Sequence, residues 1–392
     1  MPSFDLFMPT RIVFGPGRLD TLATTTHLPE GARAMIVIGA GGAMLREGYL
    51  GRVQGLLAVR GVRSLIYDRI GAIPATALID EAADRAQSKT VDLVVGLGGG
   101  STIDAAKAIA LRARNPGRSW DDVDGGGTTP AHPPLPTVAI PTTAGIGAEA
   151  NPSCVITRSG HAGSTAWRHP LMFPHLALVD ADLTLSVPPE TTALAGMVAF
   201  FHAVGALLST ERQPAADLLA LEAVQIVAGY LPRAVTDGSD GEARRLLMWA
   251  GTAAGICASL ASGLSLHFLA CALGRCVPEM PYAAALTMLA PAYFEWLAKA
   301  SPERFDLIAA AMGTAVNGRR SAGAESFRDA LINLIHAAGL GQETVSAGGL
   351  GACRAGEVAR AARQTLGRSI DTTPVALRPA DVETILTTVL GD

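Results

Sequence analysis

Two turns and two histidines of this 392-residue chain carry the residue types and spacings that do chemistry. In the first turn an apolar run of strand length, Val91 to Leu97, ends in Gly98-Gly99-Gly100-Ser101 and passes into an Ala-rich helical pattern. Glycines let an anion approach the backbone, and the free N–H groups and positive dipole end of the following helix face it, so this stretch reads as an anion seat. Ser101-x-x-Asp104 reads as a capping box in which Asp104 reaches back to the Ser101 amide, with Lys107 one turn deeper. A bare Gly-Gly-Gly-Ser is equally a tight strand-to-helix turn. The second turn, Thr142-Thr143-Ala144-Gly145-Ile146-Gly147, follows another apolar run. Farther on, His202 and His267 lie in separate helical patterns. Cys271 follows His267 at i+4 on the same face, a spacing that suits a soft-metal pair or an imidazole-assisted thiolate, and equally a packing cysteine.

The elements that must position these groups change character along the chain. Up to about residue 185, short apolar runs (12–14, 34–38, 64–67, 91–97, 137–140 and 177–179) alternate with helical patterns such as 75–88. That alternation predicts an α/β domain with a doubly wound parallel sheet. From Pro188 onward the period is helical, with segments at 190–209, 215–231, 242–262, 264–273, 283–298, 302–315, 325–338, 356–363 and 379–390. Two domains follow, 1–185 α/β and 186–392 all-helical. Residues 115–134, rich in Gly, Pro and Asp, read as a loop.

Composition narrows the function. Net charge is −4 with charged residues at 17%, and no basic block is present, which argues against nucleic acid. The N-terminus lacks the regions of a signal peptide and no uninterrupted apolar stretch is read as a membrane span, so a cytoplasmic protein without a membrane partner is expected. The five cysteines, Cys154, Cys257, Cys271, Cys276 and Cys353, show no C-x-x-C spacing and imply neither disulfides nor a zinc knuckle.

The extended motif GGGSTIDAAKAIAL over 98–111 resembles the dinucleotide loop of the iron-containing (group III) alcohol dehydrogenases and their maleylacetate reductase relatives. Residues 140–149, IPTTAGIGAE, are similar to that family's second cofactor signature, and the FGxG at 14–17 to its entry. The resemblance implies the fold of that family and a nicotinamide cofactor, NAD or NADP. Gly98, Gly99, Gly100 and Ser101 would hold the pyrophosphate and Thr142 and Thr143 the nicotinamide side, with Asp104 supporting the loop. Gly39 stands where the family often has a ribose-binding Asp, which implies tolerance of NADP(H). A homodimer is also implied.

The same resemblance implies a cation site in the helical half, and here the chain departs from it. Where the family reads G-M-D-x-x-x-H this chain reads Gly196-Met197-Val198, then His202; it keeps His267 but has Cys271 and Tyr282 at two further histidine positions. A divalent metal is therefore not expected, unless Glu279 joins His202 and His267. The expected function is metal-independent NAD(P)H-dependent reduction of a small carbonyl or enone, with protons or oxyanion stabilisation from His202, His267 and Tyr282. Alternatively the histidines are core residues and Tyr282 fills space. Arg158, Arg168 and His169 are candidates for pairing an acidic substrate, or solvated surface. A lyase, cyclase or isomerase reusing the cleft, and a catalytically inactive partner subunit, are the other readings.

Overall fold

The computed structural model describes residues 3–115, 130–157, 164–261, 263–277, 280–299, 302–314, 322–341, 355–366 and 372–390. It divides into two compact units, one of residues 8–187 and one of residues 188–392 together with 1–7. The first seven residues thus group with the helices rather than with the α/β half; Gln213 Nε2 donates to the Asp5 carbonyl at 3.4 Å.

The α/β unit is a six-stranded parallel sheet. Its strands are β1 (Arg11–Phe14), β2 (Arg33–Gly39), β3 (Arg63–Ile70), β4 (Leu93–Gly98), β5 (Thr137–Pro141) and, after a hairpin, β8 (Leu176–Val179), in the order β3-β2-β4-β5-β8-β1. The hairpin is β6 (Ser153–Thr157) and β7 (Ser164–Arg168), antiparallel and not anticipated from the sequence. The strands are apolar on both sides because each feeds two cores. Met35, Val37 and Val94 enter one with Tyr67, Ile79 and Ile109; Ala34, Ile36, Ile38, Leu93, Val95 and Leu97 enter the other with Leu50, Val53 and Leu57. Helices α1 (Ala43–Arg46), α2 (Tyr49–Val59), α3 (Thr76–Ser88) and α4 (Gly100–Arg114) supply the outer layers.

The strand order fixes where a ligand fits. From β2 the chain steps through α2 to β3 on one side, and α3 then carries it back across β2 to β4 on the other. The carboxyl ends of β2 and β4 therefore flank the point where the winding reverses, the place where open parallel sheets bind ligands.

The helical unit contains α5 (Pro189–Leu208), α6 (Pro214–Thr236), α7 (Gly241–Leu260), α8 (Ser265–Cys276), α9 (Tyr282–Ala298), α10 (Pro302–Ala311), α11 (Ala322–Ala337), α12 (Ala355–Leu366) and α13 (Pro379–Leu390). α5, α6 and α7 pack on one another, and the α5–α6 approach is close enough that a Cβ at Gly196 would lie 2.4 Å from Leu231 Cδ1. Phe200, Phe294, Phe305 and Phe327 form an aromatic cluster with ring centroids 5.2–6.4 Å apart. Contrary to the sequence expectation, α5 and α6 are both long and apolar enough to cross a membrane. For α5 the apolarity is used inside the fold, where 78% of its most apolar window is buried; the figure for α6 is 39%.

Candidate functional site

The glycine turn in the α/β unit is built by steric necessity. Gly98 has φ +153°, and a Cβ there would lie 2.8 Å from Thr102 Oγ1 and 3.0 Å from Thr102 Cβ, on the first turn of the helix it feeds. A Cβ on Gly100 would lie 2.3 Å from Ile146 Cδ1, and one on Gly99 3.3 Å from Thr143 Oγ1. The two turns singled out in the sequence thus sit against each other at the ends of neighbouring strands, with Thr142 N donating to Gly98 O at 3.0 Å. Thr102 N and Ile103 N donate to Gly99 O at 3.0 and 3.2 Å, and the Gly100 and Ser101 N–H groups ahead of them precede the first intrahelical bonds of α4. Gly39, the last residue of β2, lies on the other side of the crevice; a Cβ there would meet Thr102 Oγ1 at an ordinary 3.7 Å. Seven residues on, at the end of α1, exposed Arg46 donates from Nη1 to Gly41 O at 2.7 Å, which holds its guanidinium against the loop after β2.

Some of the expected residues take other parts. No side chain caps α4, whose N-cap is Gly99, and Ser101 Oγ instead donates to Ala72 O. Asp104 does not reach back to Ser101: it is 2% exposed, accepts from Val155 N at 2.9 Å and pairs with Lys107 at 3.1 Å. Burial pushes its carboxyl up, opposed by Lys107 and the Val155 amide. Lys107, 1% exposed, donates to Ala148 O, Asn151 Oδ1 and Ser153 O. This buried pair ties α4 to the turn after β5 and to the hairpin, so Asp104 positions the seat and does not line it. Thr142 is buried as well, while Thr143 is part-exposed beside Gly99. His169 is the N-cap of a short 3-10 turn, its Nδ1 accepting from Leu171 N at 3.2 Å. Glu279 and Arg158 lie outside the described residues.

In the helical unit the structure brings together three side chains from three helices. His202 projects from α5 and His267 from α8, their ring centroids 5.0 Å apart, and Tyr282, the first residue of α9, meets His267 with 2.5 Å between its hydroxyl oxygen and Nδ1. Burial, and secondarily His202, push the His267 imidazole down to about 3. Burial, with a contribution from Cys271, holds the Tyr282 phenol well above its usual value. Both groups are thus neutral at physiological pH. A buried polar knot sets α8 against α9 just before His267: Ser265 N donates to Thr373 Oγ1 at 2.9 Å, and the Ser265 and Tyr293 hydroxyls are 2.8 Å apart. Val198, one turn before His202, is 2% exposed. Among the described residues no group of three or more His, Cys, Asp and Glu side chains is arranged to hold a metal ion.

One residue of this region was missed. Arg275 stands on α8 eight residues after His267 and four after Cys271, a spacing visible in the sequence once the histidine is taken as a reference point. Its Nε is enclosed, with no hydrogen-bond partner among the described residues.

Comparison with known proteins covers both units. A family model described as iron-containing alcohol dehydrogenase matches residues 9–181, and one described as Fe-containing alcohol dehydrogenase family, C-terminal, matches residues 192–390. The chain is 31% identical to a choline dehydrogenase of Bacillus subtilis, over 80% of this chain and 78% of that one. It is also 31% identical to an NADPH-dependent butanol dehydrogenase of Clostridium saccharobutylicum, over 84% and 81%. The crystal structure of a 1,3-propanediol oxidoreductase superposes with a TM-score of 0.91 at 26% identity, covering 99% of this chain and 100% of the other.

Proposed function

The chain belongs to the iron-containing alcohol dehydrogenase family, and on that premise we propose that it is an NAD(P)H-dependent reductase of a small carbonyl or enone compound, its proton delivered by protein groups and not by way of a bound cation. The observation that carries this reading is the glycine seat: two interlocked turns at the reversal point of a parallel sheet, with the N-terminus of α4 facing the crevice. That seat fits a dinucleotide. Gly98, Gly99, Gly100 and Ser101 offer backbone to the pyrophosphate, Thr143 borders it, and Thr142 braces it from behind. Gly39 presents no carboxylate to a ribose 2′-phosphate, and the Arg46 guanidinium is held against the same loop, which favours NADPH over NADH.

When bound, the nicotinamide supplies the hydride for the carbonyl carbon. The chain's own task is the charge that develops on oxygen. A neutral His267 that donates Nδ1–H to the Tyr282 oxygen leaves the phenolic hydrogen to donate to a carbonyl. As the oxygen becomes an alkoxide it takes that proton, and His267 stabilises the phenolate left behind. His202 packs on His267 and helps hold it neutral.

Among the described residues the side chains do not fit the family's divalent cation. Val198 is a buried hydrocarbon at the position of the carboxylate and Tyr282 replaces an imidazole, which leaves His202 and His267 as the two imidazoles of the set. No step therefore runs through a metal. A homodimer is part of the proposal on the strength of family membership.

The test is a fluorescence titration with NADPH and NADH, followed by NADPH oxidation with short aldehydes on protein dialysed against EDTA. Binding and EDTA-resistant turnover are expected, with Tyr282→Phe lowering kcat by on the order of 100-fold and leaving the NADPH Kd unchanged. Failure of both nicotinamides to bind refutes the reductase, and turnover that appears only on adding Fe(II) or Zn(II) refutes the metal-free route.

A further inference from the structure

Resting on that reading of the His267 and Tyr282 site, we propose that the substrate carries an anionic group, a carboxylate, sulfonate or phosphonate, separated from its carbonyl by a short spacer, and that Arg275 receives it. The argument starts from the two sides of α8. At about 100° per residue, Leu266, Leu269, Ala270 and Leu273 fall on one side, each no more than 1% exposed. On the other side Gly274, His267, Cys271, Arg275 and Phe268 are neither fully buried nor exposed. Arg275 shares this half-open face with His267, about 80° round and two turns along, with Cys271 between them. Helical side chains lean toward the N-terminus, so a long one at 275 leans back toward the turn that holds Cys271 and His267.

Among the described residues the charge on that face has nothing to meet. Arg275 enters no ion pair and no hydrogen bond with any described residue, and its Nε is enclosed. A guanidinium does not neutralise itself by losing a proton, and an enclosed N–H without an acceptor is a cost that native proteins accept where a ligand supplies the acceptor. The planar fork matches the two oxygens of a carboxylate or sulfonate in bidentate fashion. Cys271 does not compete for it, since a thiol is a weak acceptor. A bifunctional substrate thus spans from Tyr282, which addresses the carbonyl, to Arg275, which addresses the anion. Neutral alcohols and aldehydes forgo the second contact.

The experiment compares 4-oxobutanoate with butanal, which share a four-carbon aldehyde and differ in the terminal carboxylate, at saturating NADPH in wild-type protein, Arg275→Met and Arg275→Lys. We expect kcat/KM for 4-oxobutanoate to exceed that for butanal by on the order of 10- to 100-fold, the size of a charge-assisted hydrogen-bond pair. Arg275→Met should abolish that preference while leaving butanal turnover within about two-fold, and Arg275→Lys should keep part of it. Thermal protection by 4-hydroxybutanoate, present in wild type and lost in Arg275→Met, reads the anion seat without turnover. Equal kcat/KM for the two aldehydes in wild type, or equal loss of both in Arg275→Met, overturns the inference. Protection by 4-hydroxybutanoate with no aldehyde ever consuming NADPH overturns the reductase and leaves the anion seat standing.

Discussion

Acidification should expose the neutral state of His267 directly. Its imidazole titrates at about 3 in the folded chain, because burial and the neighbouring His202 disfavour the cation, against the usual 6.5 when the chain unfolds. A group whose folded value is depressed leaves the unfolded state holding more protons between those two values, so stability is full above 6.5 and falls as pH drops below it. The free-energy loss is RT ln of (1 + 10^(6.5−pH)) over (1 + 10^(3−pH)). It is close to zero at pH 7.5 and reaches about 2 kcal/mol at pH 5. Other carboxylates and histidines titrate over the same range, so the wild-type difference alone says little. His267→Gln removes this one contribution and keeps an amide to face Tyr282. Urea unfolding of both proteins at pH 7.5 and pH 5 should therefore show wild type losing about 2 kcal/mol more than the variant. A parallel loss in the two proteins would mean that His267 is solvated and charges at its normal value. The neutral pair of imidazole and phenol on which proton delivery rests would then be wrong.

Two further outcomes follow from the α/β unit. Gly39→Asp adds a carboxylate where a Cβ has room, 3.7 Å from Thr102 Oγ1, and should raise the NADPH Kd by about 10-fold or more in a fluorescence titration while changing the NADH Kd far less; equal weakening of both would count against the crevice between β2 and β4 as the ribose site. Lys107→Met leaves the buried Asp104 carboxylate without its cation and should lower stability by about 3–5 kcal/mol in urea unfolding, with no loss meaning that the pair is not buried as described.

The cofactor seat was legible because backbone geometry dictates sequence there. Only glycine accepts φ +153° at 98 beside the Thr102 side chain, and only glycine lets residue 100 lie against Ile146, so the run of glycines is a direct imprint of the shape. Asp104 was misread for the opposite reason. A Ser-x-x-Asp pattern looks the same whether the carboxylate turns back to its own helix start or sideways to Val155 on a neighbouring strand. What decides it is the burial of Lys107 beside it, and burial of a lysine is not written in the local sequence. The β6–β7 hairpin was missed because its strands are five residues each and one of them alternates half-buried with buried residues only in tertiary context. The helical segment expected over 215–231 stops short of Pro232, yet α6 runs on to Thr236, whose hydroxyl donates to Pro232 O at 2.9 Å in the last turn.

The helical half follows a different logic, and it explains why the reaction was harder to read than the cofactor. His202, His267 and Tyr282 come from three helices spread over 81 positions of sequence, and nothing local says that they meet. What makes them meet is apolar and generic: a helix α5 buried almost all round, and α8 sunk along Leu266, Leu269 and Leu273. Such packing constrains where a side chain stands and leaves its chemistry open. Packing of this kind fixes the backbone positions on α5, α8 and α9 and does not dictate which polar side chain each of them presents toward the site. The chemistry of this half is therefore free to drift while its scaffold stays fixed. On the proposed reading that scaffold carries His267 and Tyr282 as proton-handling groups, with the Arg275 guanidinium two turns along the same helix face. If that reading holds, these groups answer to the substrate and not to the core, so exchanging them should change which compounds are turned over more than it changes stability.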